Sequence, residues 1–284
     1  MDVTWHKPGP ALGDCVESIV YFAGYNPAWQ REKLLPDGRM ELVVDLGDRH
    51  KRLYHTEMGA AGDDFCRSWI SGVHRRPIVI EAQPLASMLA ISFRPGGAAP
   101  FFGGAVHALT DRVFALADVI GPAASSLRDR ILDAPDGLSM CRAAEAWLVE
   151  RAGGLARRDP VVAFLAAEIA ARPGSIAALM DRTGHSRRHI QALARRSFGT
   201  TLKAQARIAR FQRLLADIRP ESNWADLALA HGYADQPHMS HEFRAFAGMT
   251  PTDYAACYAG IADFLPIRLP ASCGNLQDTA HSLD

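Results

Sequence analysis

Residues 225–254, ADLALAHGYADQPHMSHEFRAFAGMTPTDY, decide how the chain is built. Just ahead of them Asn223 can cap a helix over WADLALAHG, Gly232 supplies a tight turn, and Asp235 starts a second helix, QPHMSHEFRAFAG. Pro237 falls in that helix's first turn, where its missing N–H costs nothing. Met239, Phe243 and Phe246 recur at helical spacing and form the stripe to be buried. The other side presents Gln236, Pro237, His238, Ser240, His241 and Arg244. Helix, glycine turn, polar helix is the helix-turn-helix layout, and it points to reading of duplex DNA.

The same layout occurs once more upstream. Ser175 can cap a short helix IAALMDR, Gly184 makes the turn, and Ser186 caps RRHIQALARRSFG, in which Ile190, Leu193 and Phe198 share a face. The candidate DNA-contacting residues here are Ser186, Arg187, Arg188, Gln191, Ala192 and Arg195. Arginine forks to guanine and glutamine pairs with adenine edges, while further arginines neutralise phosphate. Between the units LKAQARIARFQRLLADI lacks Gly and Pro, so it reads as one helix from about Thr201 to Ile218. At 1.5 Å per residue it would be about 25 Å long, stiff enough to hold two recognition helices near one DNA turn of roughly 34 Å.

The stretch from Ser175 to Tyr254 resembles the DNA-binding domain of the AraC/XylS family of transcriptional regulators. The likeness is carried most by an alanine-rich helix, the G-Y turn, the D-Q start, F-R-x-F and the ending G-x-T-P-x-x-Y. His241 stands where that family usually has Arg, and Ala192 and Ala194 replace larger residues. LLPDGRMELVVDLGD, ISFRPGGAAPFFG and LTDRVFALADVIG resemble, more loosely, a domain found ahead of this module in uncharacterised regulators. What the resemblance implies is a sequence-specific regulator, with effector sensing or dimerisation in its N-terminal part. The implied partners are promoter or operator DNA, RNA polymerase, a small-molecule effector and a second copy of the chain.

Composition sets the frame. Hydrophobic residues at 48% and charged residues at 22% are the balance of a soluble globular protein. The net charge of zero hides an asymmetry: Arg157 to Gly260 holds 14 Lys and Arg against 9 Asp and Glu, a net of +5, which leaves −5 for the remainder. A basic module joined to an acidic one suggests that only the former meets a polyanion. Five cysteines without a C-x-x-C pair suggest neither disulfides nor zinc, which fits a reducing cytoplasm. The N-terminus lacks a signal-peptide pattern and no apolar run is long enough to span a bilayer, so a cytoplasmic location without membrane association is expected.

The expected fold is α+β. Residues 1–112 read as a β-rich barrel or sandwich, the cupin-like form included, because apolar runs such as MELVVDLG and SMLAISF are separated by turn clusters. Residues 113–156 read as helical linkers, 157–260 as an all-α double helix-turn-helix domain, and 261–284 as a flexible tail. In the strand from Arg39 to Leu46, alternation sets Leu42 and Val44 against Glu41, Val43 and Asp45. Glu41 and Asp45 are then either solvated or paired inside a barrel, suited to a cationic effector or to acid-base chemistry. Arg94 opens R-P-G-G, which reads as an anion-binding turn or as a turn closing a strand. Glu41, Asp45 and Arg94 are the candidate effector-pocket residues. Trp5, Trp29 and Trp69 could line an apolar pocket or fill a core. Cys15 and Cys66 read as ordinary thiols, with redox sensing or methyl acceptance as the sharper alternative. No metal spacing, cofactor motif or catalytic constellation stands out, so the chain is not expected to be an enzyme. The competing reading is an enzymatic or partner-binding barrel that a helical domain localises to DNA.

Overall fold

Alternating strands build the N-terminal half. They are β1 (Asp2–His6), β2 (Val16–Tyr25), β3 (Arg31–Leu34), β4 (Glu41–Asp45), β5 (Lys51–Tyr54), β6 (Gly62–Phe65), β7 (Ser68–Ser71), β8 (Ile78–Glu81), β9 (Ala86–Phe93) and β10 (Val113–Ala115). An eleventh, β11 (Phe264–Ile267), returns from the far end of the chain. The computed structural model describes residues 1–47, 49–171, 175–257 and 263–267. The strands make two antiparallel sheets, one in the order β1-β2-β9-β4-β7-β10 and the other β11-β3-β8-β5-β6.

The six-stranded sheet is covered on both faces, and the period of two explains how. On its outer face Ile19, Leu42, Val44, Ile70, Leu89 and Ile91 are fully buried. They share one apolar cluster with Leu127 and Ile131 of α3 (Ala123–Leu132) and with Ala144, Trp147 and Leu148 of α4 (Gly137–Arg151). Each such side chain removed from water stabilises the fold by about 1.5–3 kcal/mol before entropy is counted. The alternate residues, Val43, Trp69, Met88 and Ala90 among them, face the five-stranded sheet. Two shorter helices, α1 (Ala99–Phe102) and α2 (Leu116–Ile120), and a 3₁₀ segment Gly103–Leu109 complete this half.

Two differences from the sequence expectation follow. Val113–Ala115, expected in the helical linker, pair with β7, and α3 and α4 pack on the sheet instead of spanning two bodies. Phe264–Ile267, expected in the flexible tail, pair in register with β3, which supplies the ladder partners that a four-residue strand lacks alone. Residues 261–262 and 268–284 of that tail lie outside the described residues.

The C-terminal part is helical: α5 (Pro160–Ala170), α6 (Ile176–Asp181), α7 (Arg187–Phe198), α8 (Leu202–Asp217), α9 (Trp224–Ala230), α10 (Gln236–Ala247) and α11 (Pro251–Cys257). Local chemistry sets most of the starts. Ser175, Ser186, Thr201, Asn223 and Asp235 each place a side-chain oxygen on a backbone N–H of the helix that follows. The helices α7 and α10 end at Gly199 and Gly248, both left-handed. The chain is therefore α+β, a β-rich part followed by a helical one.

Candidate nucleic-acid interface

Each unit buries one stripe of its second helix and leaves the other outside. In α7 Ile190, Leu193, Ala194 and Phe198 are buried, while Arg187, Arg188, Gln191, Ala192 and Arg195 are exposed. In α10 Met239, Phe243 and Phe246 are buried, and Gln236, Pro237, His238, His241 and Arg244 are exposed, with Ser240 half-buried. The structure therefore holds the two candidate sets on two helices joined by α8. The hydroxyl of Ser186 is used in part as a cap, accepting the N–H of His189 at 3.2 Å. That leaves its exposed position at the mouth of α7 but limits its freedom to turn toward a base.

The helix α8 adds a basic stripe beside α10. Lys203, Arg207 and Arg210, at i, i+4 and i+7, line a groove of about 760 Å³ together with His238 and His241 of α10. The signal was present in the spacing K-x-x-x-R-x-x-R, but a charge stripe alone reads as a solvated face. Glu242 of α10 fixes it. This carboxylate is 3% exposed and accepts Arg207 Nε at 2.6 Å and Arg210 Nη2 at 2.7 Å. The two guanidiniums also stack on rings, Arg210 4.2 Å from the Tyr233 centroid and Arg207 5.2 Å from that of Phe246. The cations beside the second recognition helix are thereby held in place, and one carboxylate offsets part of their charge.

A second candidate site lies between the two sheets. A cavity of about 330 Å³ is lined from both, with Phe22, Val43, Trp69 and Met88 on one side and Ile80 and Phe65 on the other. Glu32, Glu41, Lys51 and Arg52 are the charged residues on this wall. Glu32 accepts from the Tyr25 hydroxyl and from Trp29 Nε1 at 3.1 Å. Burial raises the Glu32 carboxyl, while its two donors and Lys51 oppose the rise. Glu41 accepts from Ser92 Oγ at 2.8 Å, and burial first, then the Asp37 carboxyl, push it up to about 7. Lys51 is 7% exposed; burial lowers its pKa against the pull of Glu32, Asp45 and Glu81.

Of the three expected effector-pocket residues, the cavity gathers only Glu41. Asp45 ends β4 outside the wall, where Oδ1 accepts the N–H of Gly47 at 2.7 Å. Arg94 faces away from the cavity: it pairs with Glu17, gives Nε to the Gly13 carbonyl at 3.0 Å, and opens a turn closed by Gly97 N–H to its own carbonyl. The R-P-G-G stretch is thus a structural turn. Among the tryptophans Trp69 lines the cavity, Trp29 bonds to Glu32 beside it, and Trp5 is 72% exposed. Cys15 is buried, and burial pushes its thiol up to about 11, which makes it a poor nucleophile. Cys66 is exposed. Among the described residues no three His, Cys, Asp or Glu side chains come together in a way that could hold a metal ion.

Strand β3 stands between the cavity and the helical part. Glu32 and Leu34 point into the cavity, and Lys33, between them, points the other way. Lys33 is 1% exposed, pairs with Glu57 at 2.5 Å, and brings Nζ to 3.5 Å from the carbonyl of Ala247, the last residue of α10. An ammonium there meets the negative end of the helix dipole. Strand β11 makes the second link, setting Phe264 on the cavity wall and burying Leu265 in the core that also holds Phe243 and Tyr254.

Comparison with known proteins finds two family matches. Residues 4–115 match the family described as a domain of unknown function, DUF6597. Residues 179–256 match the family described as a helix-turn-helix domain. No curated protein matches the chain. Among solved structures, ToxT from Vibrio cholerae O395 is 9% identical, over 85% of this chain and 99% of its own, with a TM-score of 0.45. ToxT of V. cholerae strain SCE256, described as bound to unsaturated fatty acid, is 9% identical over 86% and 96%, with a TM-score of 0.46. The AraC-like transcriptional activator CuxR is 13% identical over 76% and 80%, with a TM-score of 0.27. No described helix is long and apolar enough to cross a membrane. The chain thus carries a DUF6597 domain in its N-terminal part and an AraC-type helix-turn-helix domain in its C-terminal part.

Proposed function

We propose that this chain is a sequence-specific, DNA-binding transcriptional regulator of the AraC/XylS type, controlled through its N-terminal domain. The observation that carries the reading is the pair of recognition helices, each with a buried apolar stripe and an exposed polar one, joined by the single helix α8. Arg188, Gln191, His238, His241 and Arg244 are assigned to base edges, with Ser186, Arg187, Ala192, Arg195, Gln236, Pro237 and Ser240 completing the two contact surfaces. Lys203 is assigned to phosphate. The cavity between the sheets is assigned to a small-molecule effector, with β3 and β11 as the routes by which occupancy reaches α10. We take residues 1–112, with Val113–Ala115 and Phe264–Ile267 added to their sheets, as the β-rich part and residues 157–260 as the DNA-binding part. RNA polymerase and a second copy of the chain are its further partners, the cytoplasm is its place, and no catalytic step is assigned to it.

Selection of bound sequences from a random duplex pool by the purified protein, followed by titration of the winner against salt, tests this. Two short elements about one helical turn apart and a steep salt slope are expected. Gln191→Ala should relax selection at one position, whereas Lys203→Ala should weaken matched and mismatched sites alike. Absence of any enriched motif, for the full chain with or without cavity ligands, would sink the reading.

A further inference from the structure

Protein interiors are packed to the density of organic crystals, and voids much larger than a water molecule are few. A gap of about 330 Å³ between two sheets, walled by valine, isoleucine and aromatic side chains, has the size and lining of a ligand site. Its occupant can be read from the wall. Phe22, Tyr25, Phe65, Trp69 and Phe264 offer five aromatic rings, whose faces attract organic cations.

The charged groups decide the sign. Arg52 is occupied by Asp64, with Nε and Nη2 each 2.7 Å from a carboxylate oxygen. Lys51 stands among Glu32, Asp45 and Glu81, close enough for all three to favour its charge. Glu32 receives two hydrogen bonds and shares the field of Lys51. Among the described residues Glu41 has the Ser92 hydroxyl and no ion-pair partner within 4 Å. The charged groups that face it are Asp37 and Arg39 from the turn before β4 and Asp263 from the segment before β11, two acids against one base. Its neighbours across the ladder, Ser92 on β9 and Ser71 on β7, are uncharged. A ligand carboxylate would add an acid beside Lys51, which Glu32, Asp45 and Glu81 already surround, whereas an ammonium would bring a cation to Glu41, which has two acids and one base about it.

We propose that the cavity between the sheets binds an organic cation, an apolar primary amine with an aromatic or alkyl body, whose ammonium group pairs with Glu41 while the body lies against Trp69 and Phe264. The assignment deepens the effector reading above and rests on it only for the step from binding to regulation. Because Glu41 is pushed up to about 7, amine affinity should rise between pH 6 and 8 as the carboxyl loses its proton, the amine itself staying charged with a pKa of about 10.

The test uses the full chain and three probes of one shape: 3-phenylpropylamine, 3-phenylpropanoate and 3-phenylpropan-1-ol. Tryptophan fluorescence and thermal shift read their binding without DNA. The amine should bind about tenfold tighter than the alcohol at pH 8, and the acid weakest. Glu41→Gln keeps an acceptor for Ser92 and should reduce the amine to the level of the alcohol while alcohol binding stays unchanged. Trp69→Phe, which keeps an aromatic wall, guards against a variant that fails to fold and should retain the amine preference in thermal shift. Tightest binding by the acid, an amine preference that survives Glu41→Gln, or no binding by any probe would overturn the proposal. DNA affinity measured in the same titrations separates the two claims: an amine that binds with Glu41 dependence and leaves DNA affinity unchanged supports the site and removes the effector role. Loss of the DNA activity altogether would count against the regulator reading and leave the fluorescence result to judge the cavity.

Discussion

The two helix-turn-helix units share one layout and are held in different ways. The first closes its own apolar cluster, in which Val162, Leu165, Leu179, Ile190 and Phe198 meet one another. The core of the second, with Phe211, Phe243 and Tyr254, is continuous with that of the N-terminal sheet through residues such as Leu35, Met40 and Leu265. Their surfaces differ as well. The recognition helix α7 exposes Arg187, Arg188, Arg195 and Arg196, whereas α10 exposes Arg244 and two histidines and has the neighbouring Arg207 and Arg210 tied to Glu242. In the regulator reading proposed above, the first unit, tied to the N-terminal half where Thr110 Oγ1 donates to the Gly199 carbonyl at 2.6 Å, acts as electrostatic anchor, and the second shares the core of the sheet.

The largest expected effect breaks the shared core. Phe243 is fully buried, against Phe211 and Tyr254 at centroid distances of 5.3 and 5.5 Å. Phe243→Ala should cost about 4 kcal/mol, with hydrogen-exchange protection falling together in α8, α10 and β4. Ile190→Ala, in the separate cluster, should cost about 3 kcal/mol and loosen α5 to α7 with little change in the sheet. If both variants lower protection evenly over the chain, the contrast between the units is wrong.

Glu242→Gln tests the surface half of the comparison. The carboxylate is buried, but Arg207 and Arg210 are 42% and 22% exposed and regain water once released, so the loss should be about 2 kcal/mol, not the larger cost of stranding a buried charge. The freed cations should meanwhile steepen the salt dependence of DNA binding, by about one phosphate contact. A flatter slope would mean that the guanidiniums reach DNA only when Glu242 holds them.

Much of this contrast could not be read from the chain. The caps at Ser175, Ser186, Asn223 and Asp235 were legible because a cap is decided within three residues. The alternation in β4 was legible too, but not what its mixed face would meet. Whether Glu41 sees water or a second sheet depends on pairings far away in sequence, Glu41 with Ser92 and Glu32 with Ile80. FLPI is too short to announce a strand, and becomes one only because β3 offers an edge. Glu242 reads as one more charge on a polar face until α8 packs beside it.

Glu41 gives a smaller effect with a definite sign. Its folded pKa of about 7 lies above the ordinary 4.5, so the folded state holds this proton more tightly than the unfolded chain does. The contribution is fully present below pH 4.5 and is lost as pH rises through 7. Glu41→Gln should therefore flatten that part of the stability profile in denaturant titrations between pH 4.5 and 8. An unchanged profile would place the carboxyl in contact with water.

The smallest expected effects lie at the joint itself. On α8, Gln205 gives Nε2 to the Gly38 carbonyl at 2.8 Å and Gln212 to the Pro36 carbonyl at 2.7 Å, so one helix face grips the turn that runs from β3 into β4. Gly38 takes a left-handed φ of 78°, and a Cβ there would come within 2.7 Å of Gln205 Nε2, so the approach depends on glycine. Gln205 is 3% exposed, and its removal leaves a carbonyl with no access to water; Gln205→Ala should cost about 1–2 kcal/mol. Gln212 is only partly buried, so the Pro36 carbonyl can recover a water and Gln212→Ala should cost under about 1 kcal/mol. Thermal unfolding of the two variants ranks them. Equal costs would mean that water reaches the joint as readily at Gly38 as at Pro36, and that the grip of α8 on the β part is apolar, carried by Ile208 and its neighbours instead of by these two amides.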